Sequence, residues 1–305
     1  MKHTIKITVI LVILFFFSQI VGLFIVNNYI DHEKTQETGE IVGKEITIAG
    51  QVIERPPEKG LIGYILAAIL IGTVLLLFLI KIKAVRVWKF WFFLSVWLLL
   101  SIALAPFVTK QLAWIVALIF AVWKVLKPNV IIHNLTEVFV YGGLAAIFVP
   151  IPGFKVWHAF ILLLIISIYD MIAVWKIKHM ITLAKFQTES KVFAGLFVPY
   201  HRKKELKRVR ITKTEKIIPV KKKVTNAILG GGDIGFPLVF AGVVMKELMV
   251  TNPEWLGFFK ALIIPFSVSI ALLILFIKSK KDTFYPAMPF LTIGCLVGYG
   301  VLLLF

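Results

Sequence analysis

One cysteine, Cys295, occurs in the whole chain, and it sits inside an apolar run. No disulfide framework and no cysteine-ligated metal site can be built on it. Charge is scarce as well: 16% of the 305 residues are charged, and only four are Asp. A soluble domain of this length keeps a large exterior that demands more polar groups than that. Also missing are a His-Glu-x-x-His sequence and any Gly-x-Ser-x-Gly or Gly-x-Ser-Gly. The six histidines, at 3, 32, 133, 158, 179 and 201, are scattered, so intramembrane zinc-protease and serine-protease chemistry lack their motifs.

What fills the chain instead is apolar surface. Hydrophobic residues make up 59%, with eight Trp and 26 Phe, and the mean hydropathy is +0.93. Apolar runs recur at about 5–27, 61–80, 88–106, 111–126, 135–153, 157–175, 224–250, 257–277 and 286–305. They are continuous rather than alternating, which predicts an all-α, polytopic membrane protein with nine transmembrane helices. The first run follows Lys2 and Lys6 but is about 22 residues long, enough to span a hydrocarbon core. It lacks an Ala-x-Ala-like site, so it is expected to be a retained helix rather than a signal peptide.

The net charge of +18 reads as membrane topology rather than nucleic-acid binding, because the basic residues cluster beside the apolar runs. With the N-terminus cytoplasmic, 26 of the 34 basic residues fall on the cytoplasmic side. The C-terminus is then outside, and a multi-pass protein of the cell membrane is expected. Residues 1–153 form a scaffold of the first five helices, and 154–305 the last four with the basic cytoplasmic loop 176–223. In that loop an apolar island at 192–200 is expected on the membrane surface. In the other long loop, residues 46–52 alternate and predict a short outer strand.

Only two aspartates lie inside apolar runs: Asp170 in the sixth and Asp233 in the seventh. A carboxylate at membrane depth is costly, which makes each a functional candidate. Counted along helices from the flanking Lys176 and Lys223, they lie about 9 and 15 Å from the cytoplasmic edge. Facing carboxyls in a low dielectric cannot both ionise, so such a pair shares one proton. It can then take a proton from water while polarising a peptide carbonyl. Paired acids also serve transporters as proton or ion relays, and that reading stays open beside the protease.

The flanking residues favour the protease. Asp233 lies in Gly230-Gly231-Gly232-Asp233-Ile234-Gly235-Phe236-Pro237, where the glycines and the proline weaken a helix. That backbone is expected to be loosely packed, or closely approached by another chain. Pro286-Ala287-Met288-Pro289 opens the ninth run, and its prolines leave upstream carbonyls free for an extended strand. The two acids are expected to face each other across the sixth and seventh helices, with 286–289 bordering the same water-accessible cavity.

Tyr169-Asp170, Gly230-Gly231-Gly232-Asp233 and Pro286-Ala287-Met288-Pro289 resemble the Tyr-Asp, Gly-x-Gly-Asp and Pro-Ala-Leu motifs of the presenilin and signal peptide peptidase family, with Met288 in place of Leu. The resemblance extends over essentially the full chain and is similar to a compact archaeal member. It implies an intramembrane aspartyl endopeptidase of the Gly-x-Gly-Asp type, with catalytic Asp170 and Asp233. Tyr169, Gly230, Gly232, Pro286, Ala287 and Met288 would support the site or bind substrate. It further implies transmembrane helical peptides as substrates in the lipid bilayer, no metal or organic cofactor and no nucleic acid, and it leaves homo-oligomerisation open.

Rival readings fit less well. A transporter built on inverted repeats should show a second Gly/Pro-broken helix in its first half, and helices two to four hold none. A prepilin-peptidase-like enzyme should carry a cysteine-rich cytoplasmic region. Glu137 reads as a structural acid that favours a helix start or pairs with Lys127, and Glu247 as interfacial beside Lys246. Asn134-Leu135-Thr136 fits a glycosylation pattern but falls on the cytoplasmic side.

Overall fold

The computed structural model describes residues 5–48, 51–177, 183, 186, 187, 190, 192–201, 224–279 and 285–305. Most of the loop 176–223 and the segment 280–284, with Asp282, lie outside the described residues. The described chain is mostly helical. Its helices are α1 (Ile5–Asn28), α2 (His32–Thr38), α3 (Leu61–Lys81), α4 (Val85–Leu104), α5 (Lys110–Leu126) and α6 (Val130–Phe148). There follow α7 (Val156–Met171), α8 (Gly231–Thr251), α9 (Glu254–Ala261), α10 (Ile263–Lys278) and α11 (Met288–Leu302).

Among the described residues seven spans are long and apolar enough to cross a membrane: α1, α3, α4, α6, α7 with its extension to Lys176, α8, and α9 with α10. This is a multi-pass membrane protein. The apolar runs at 111–126 and 286–305 correspond to helices of 17 and 15 residues, α5 and α11. Helices suit these runs because they satisfy every backbone donor and acceptor internally, which lipid cannot do.

The bundle is built around α8, of which 72% is buried, against 11% for α3. Helices α1, α6 and α7 pack on α8, and α10 packs with α11. Small residues allow these approaches. A β-carbon on Gly143 would collide with the Leu99 carbonyl oxygen of α4, and one on Gly298 would stand 2.8 Å from the Ile264 Cα of α10. Gly143→Ala is therefore expected to cost about 1–3 kcal/mol, since a backbone oxygen cannot step aside. Gly72→Ala, with nothing within 4 Å, is the control, and the melting temperatures of both in detergent check it.

Two hairpins interrupt the helical pattern. The first pairs β1 (Ile46–Ile48) antiparallel with β2 (Gln51–Ile53), so the one strand expected over 46–52 is two. The other pairs β3 (Gly195–His201) with β4 (Val224–Gly230), from Gly195 against Gly230 to His201 against Val224. Two expectations are corrected here. The apolar island at 192–200 supplies a strand, and the seventh run does not start as a helix at 224. Residues 224–230 are extended, and β3 pairs with one edge of their backbone. The depth of Asp233 counted along a helix from Lys223 therefore does not apply.

The start of α1 packs on this hairpin through Ile7, Leu11 and Ala227, and the start of α6 grips it through Asn134. Side chains of α10 close the same patch through Phe276. The start of α1, the start of α6 and the start of α8 thus share one end of the bundle, with the hairpin among them. At the other end, Lys246 of α8 is 1% exposed and donates to the Ile151 carbonyl at 2.6 Å. Glu247, expected to be interfacial, is half-buried and accepts from the Val156 backbone N–H at 2.8 Å.

Candidate active site

Asp170 sits at the end of α7, one residue before Met171, where the chain continues as a π-helical turn over Ile172–Ile177. Wide turns of this kind recur at functional sites. Its carboxylate is 6% exposed and accepts the Met288 backbone N–H at 3.1 Å, with the Ala287 N–H as a second donor. Ala287 is the N-cap of α11 and Met288 its first residue. The aspartate thus caps a neighbouring helix, whose early N–H groups have no partners of their own. Pro286 and Met288 are buried, and Pro289 follows inside the first turn.

Asp233 stands in the first turn of α8, whose N-cap is Gly230. Its carboxylate accepts from the Gly230 backbone N–H and lies within Coulombic range of Asp170. Asp170 and Asp233 thus lie on two helices that pack against each other, α7 and α8. Asp233 is half-buried and Gly232 exposed, while Asp170 is buried.

The glycine segment is only in part as expected. Gly232 has room: a β-carbon there would meet Phe236 at 3.5 Å, an ordinary contact. Gly231 has none, because a β-carbon would stand 2.5 Å from the Tyr141 hydroxyl of α6. Its N–H donates to the Ala194 carbonyl at 3.1 Å. The turn leading to Asp233 is therefore tightly seated, not loose. Pro237 lies inside α8 and offers no N–H to the carbonyl four residues back, that of Asp233.

Tyr169 points to α3, with its hydroxyl 3.4 Å from Thr73 Oγ1. Two contributors escaped the sequence reading. Gln19 of α1, buried, donates its amide to the Ile234 carbonyl at 2.9 Å and ties α1 to the residue after Asp233. The only signal for it was an amide inside an apolar run. Glu137 is the second. It was expected either to favour a helix start or to pair with Lys127, and its partner is Lys124 of α5, both groups being buried. It also accepts from the Tyr141 hydroxyl and from the Gly195 backbone N–H at 2.9 Å. Lys124 is one helical turn closer to the middle of the span than Lys127, which is why it can reach a buried acid. Asn134, the residue of the glycosylation-like pattern, exchanges hydrogen bonds with Phe197 of β3 at 2.9 and 3.1 Å.

A family model described as signal-peptide peptidase, presenilin aspartyl protease matches residues 43–305. The chain belongs to that family. Among solved structures it is similar to a presenilin family intramembrane aspartate protease in two crystal forms. In the C222 form the identity is 17% and the TM-score 0.55, with 96% of this chain and 99% of the other covered. In the P2 form the identity is 17% and the TM-score 0.57, with 96% of each chain covered. At that identity the likeness speaks for the fold, which this presenilin-family chain shares over nearly its whole length. No curated protein matches it.

Proposed function

We propose that this presenilin-family protein hydrolyses peptide bonds within transmembrane segments, with Asp170 and Asp233 as its water-activating pair. One observation carries the reading: the two aspartates that lie in apolar runs come together where α7 meets α8, each held by backbone N–H groups at a helix start. Carboxyls so placed hold one proton between them. The ionised member takes a proton from water, and the water oxygen bonds to the scissile carbonyl carbon. The protonated member gives its proton to the carbonyl oxygen. When the C–N bond breaks, the member that took the proton from water gives it to the leaving nitrogen, a hydroxyl of the tetrahedral intermediate returns its proton to the other member as the new carboxyl forms, and the pair regains its starting state. The roles belong to the pair, because two coupled acids titrate as one unit.

The substrate is a transmembrane helix, locally unwound so that a strand of it lies between Gly230–Asp233 and Pro286–Met288. Strand β4 delivers an extended backbone to that place, and extended peptides bind well beside an existing strand. Gly232, exposed and without a side chain, lets the substrate approach. Tyr169, in contact with α3, braces the Asp170 end. Helices α1 to α6 form the scaffold and the remainder carries the motifs. The chain crosses the cell membrane nine times, with the hairpin end and the N-terminus cytoplasmic.

The test is a detergent-solubilised enzyme with a single transmembrane peptide, read by mass spectrometry. Two complementary fragments are expected, at a rate that is bell-shaped in pH. A peptide with a hydroxyl replacing the scissile carbonyl should inhibit competitively, as mimics of the transition state do. Absence of fragments together with no competition would overturn the proposal in favour of a relay of protons or ions.

A further inference from the structure

Lys124 and Glu137 are 3% and 1% exposed, and nothing in the proposed chemistry uses them. A buried ion pair is seldom the best adhesive between two helices, since well-packed apolar residues of similar volume serve as well or better. What this pair offers that apolar residues cannot is direction. The Glu137 carboxylate gathers three donors from three places: Lys124 Nζ on α5, the Tyr141 hydroxyl one turn along α6, and the Gly195 backbone N–H opening β3. Next to it, His133 Nε2 lies 2.7 Å from the Gly195 carbonyl, so the peptide groups on both sides of Gly195 are fixed by α6. Gly195 has φ +143° and its β-carbon would collide with the Leu229 carbonyl, which leaves glycine as the residue that can occupy this corner.

Two lines run from this carboxylate to the same turn. Through the hairpin, Gly195 pairs with Gly230, and Ala194 accepts the Gly231 N–H. Through the ring, Tyr141 is held by Glu137 directly against Gly231 and lies within Coulombic range of Asp233. Both end on residues 230–231, immediately before the aspartate that takes its backbone hydrogen bond from Gly230. We infer that Glu137, neutralised by Lys124, is a positioning residue that sets the place of Asp233 through Gly195 and Tyr141. The inference rests on the protease reading and adds to it a residue on a helix that carries none of the family motifs.

The experiment compares four proteins on one transmembrane peptide, with active sites counted by titration with the hydroxyl-bearing mimic. Lys124→Met/Glu137→Leu removes both charges and keeps an apolar, filled contact. Its kcat per titrated site is expected to fall roughly tenfold or more, by misplacement of the reacting group, with KM changed less than about threefold. Lys124→Met/Glu137→Gln is equally uncharged but restores an acceptor oxygen for Gly195 and Tyr141. It should recover to within about threefold of the unmodified enzyme, because hydrogen bonding rather than charge sets the geometry. Tyr141→Phe deletes one hydroxyl, leaves Glu137 two donors, and should lower kcat alone.

A structural role only would look different: the two double variants would be equal per site, and losses would follow the count of folded sites. That result, or a Tyr141→Phe protein with unchanged kcat, overturns the inference. If a double variant does not fold, Tyr141→Phe decides. If the unmodified protein itself cleaves nothing, it is the protease reading that has failed.

Discussion

Asp170→Asn and Asp233→Asn are each expected to lower peptide cleavage by roughly 100- to 10,000-fold, the range a positioned acid or base contributes. Both should leave the fold intact. At position 170 the amide oxygen still accepts from Met288 and Ala287, the groups that bind the carboxylate. At position 233 the oxygen still faces the Gly230 N–H. What each substitution removes is the shared proton, which a neutral amide cannot carry. The measurement is initial rate against melting temperature for both variants in the same detergent. A loss of rate with a shifted melting temperature would point to damage rather than chemistry. A variant that retains a few per cent of the rate would break the assignment of the pair.

The candidate aspartates stand out in the sequence because Asp is rare: four in the chain, two of them in apolar runs. Spanning helices were legible for a similar reason, since continuous apolar runs of that length have few other uses. The β3–β4 hairpin was not. Val224–Gly230 is apolar and runs without a break into α8, so its pattern does not separate it from a helix. Its partner at 195–201 lies far back along the chain, and such pairing leaves no local trace. Backbone donors were equally silent. Ala287 and Met288 were expected to seat substrate, yet in the structure their N–H groups hold Asp170, a contact that no side-chain pattern encodes. The same holds for Gly195, whose N–H meets Glu137. Glu137 and Lys124 did leave a signal, as charges within apolar sequence, but only the packing shows that they meet.

Charged side chains thus stand near both ends of α8. Asp233 opens the helix, and Lys246 near its far end donates to the Ile151 carbonyl. Between them the side chains from Leu238 to Met245 are almost all buried and apolar. A helix pinned at both ends by directed bonds, with close packing along its length, has little freedom to shift along its axis. That suits a helix whose first turn carries the carboxyl proposed to act with Asp170.

The second large effect is expected at Gly231, the variable position of the Gly-x-Gly-Asp motif. The resemblance places weight on Gly230 and Gly232, whereas the space around each residue places it on Gly231. An alanine there would bring its β-carbon to 2.5 Å from the Tyr141 hydroxyl and 3.0 Å from its ring. Tyr141 cannot easily turn aside, because its hydroxyl is bound to the buried Glu137. The first turn of α8 must then move instead, and Asp233 moves with it. A displacement near 1 Å at a reacting group costs on the order of 100-fold in rate, so Gly231→Ala is expected to fall by about that factor in kcat. Gly232→Ala meets only Phe236, at an ordinary 3.5 Å, and should fold as the unmodified enzyme does. Any loss of cleavage it shows would then come from crowding the substrate strand, and would appear in KM. The pair of variants separates two meanings of one motif. If Gly231→Ala keeps its kcat, Tyr141 does not fix the turn, and the tight seat beneath Asp233 has no bearing on the rate.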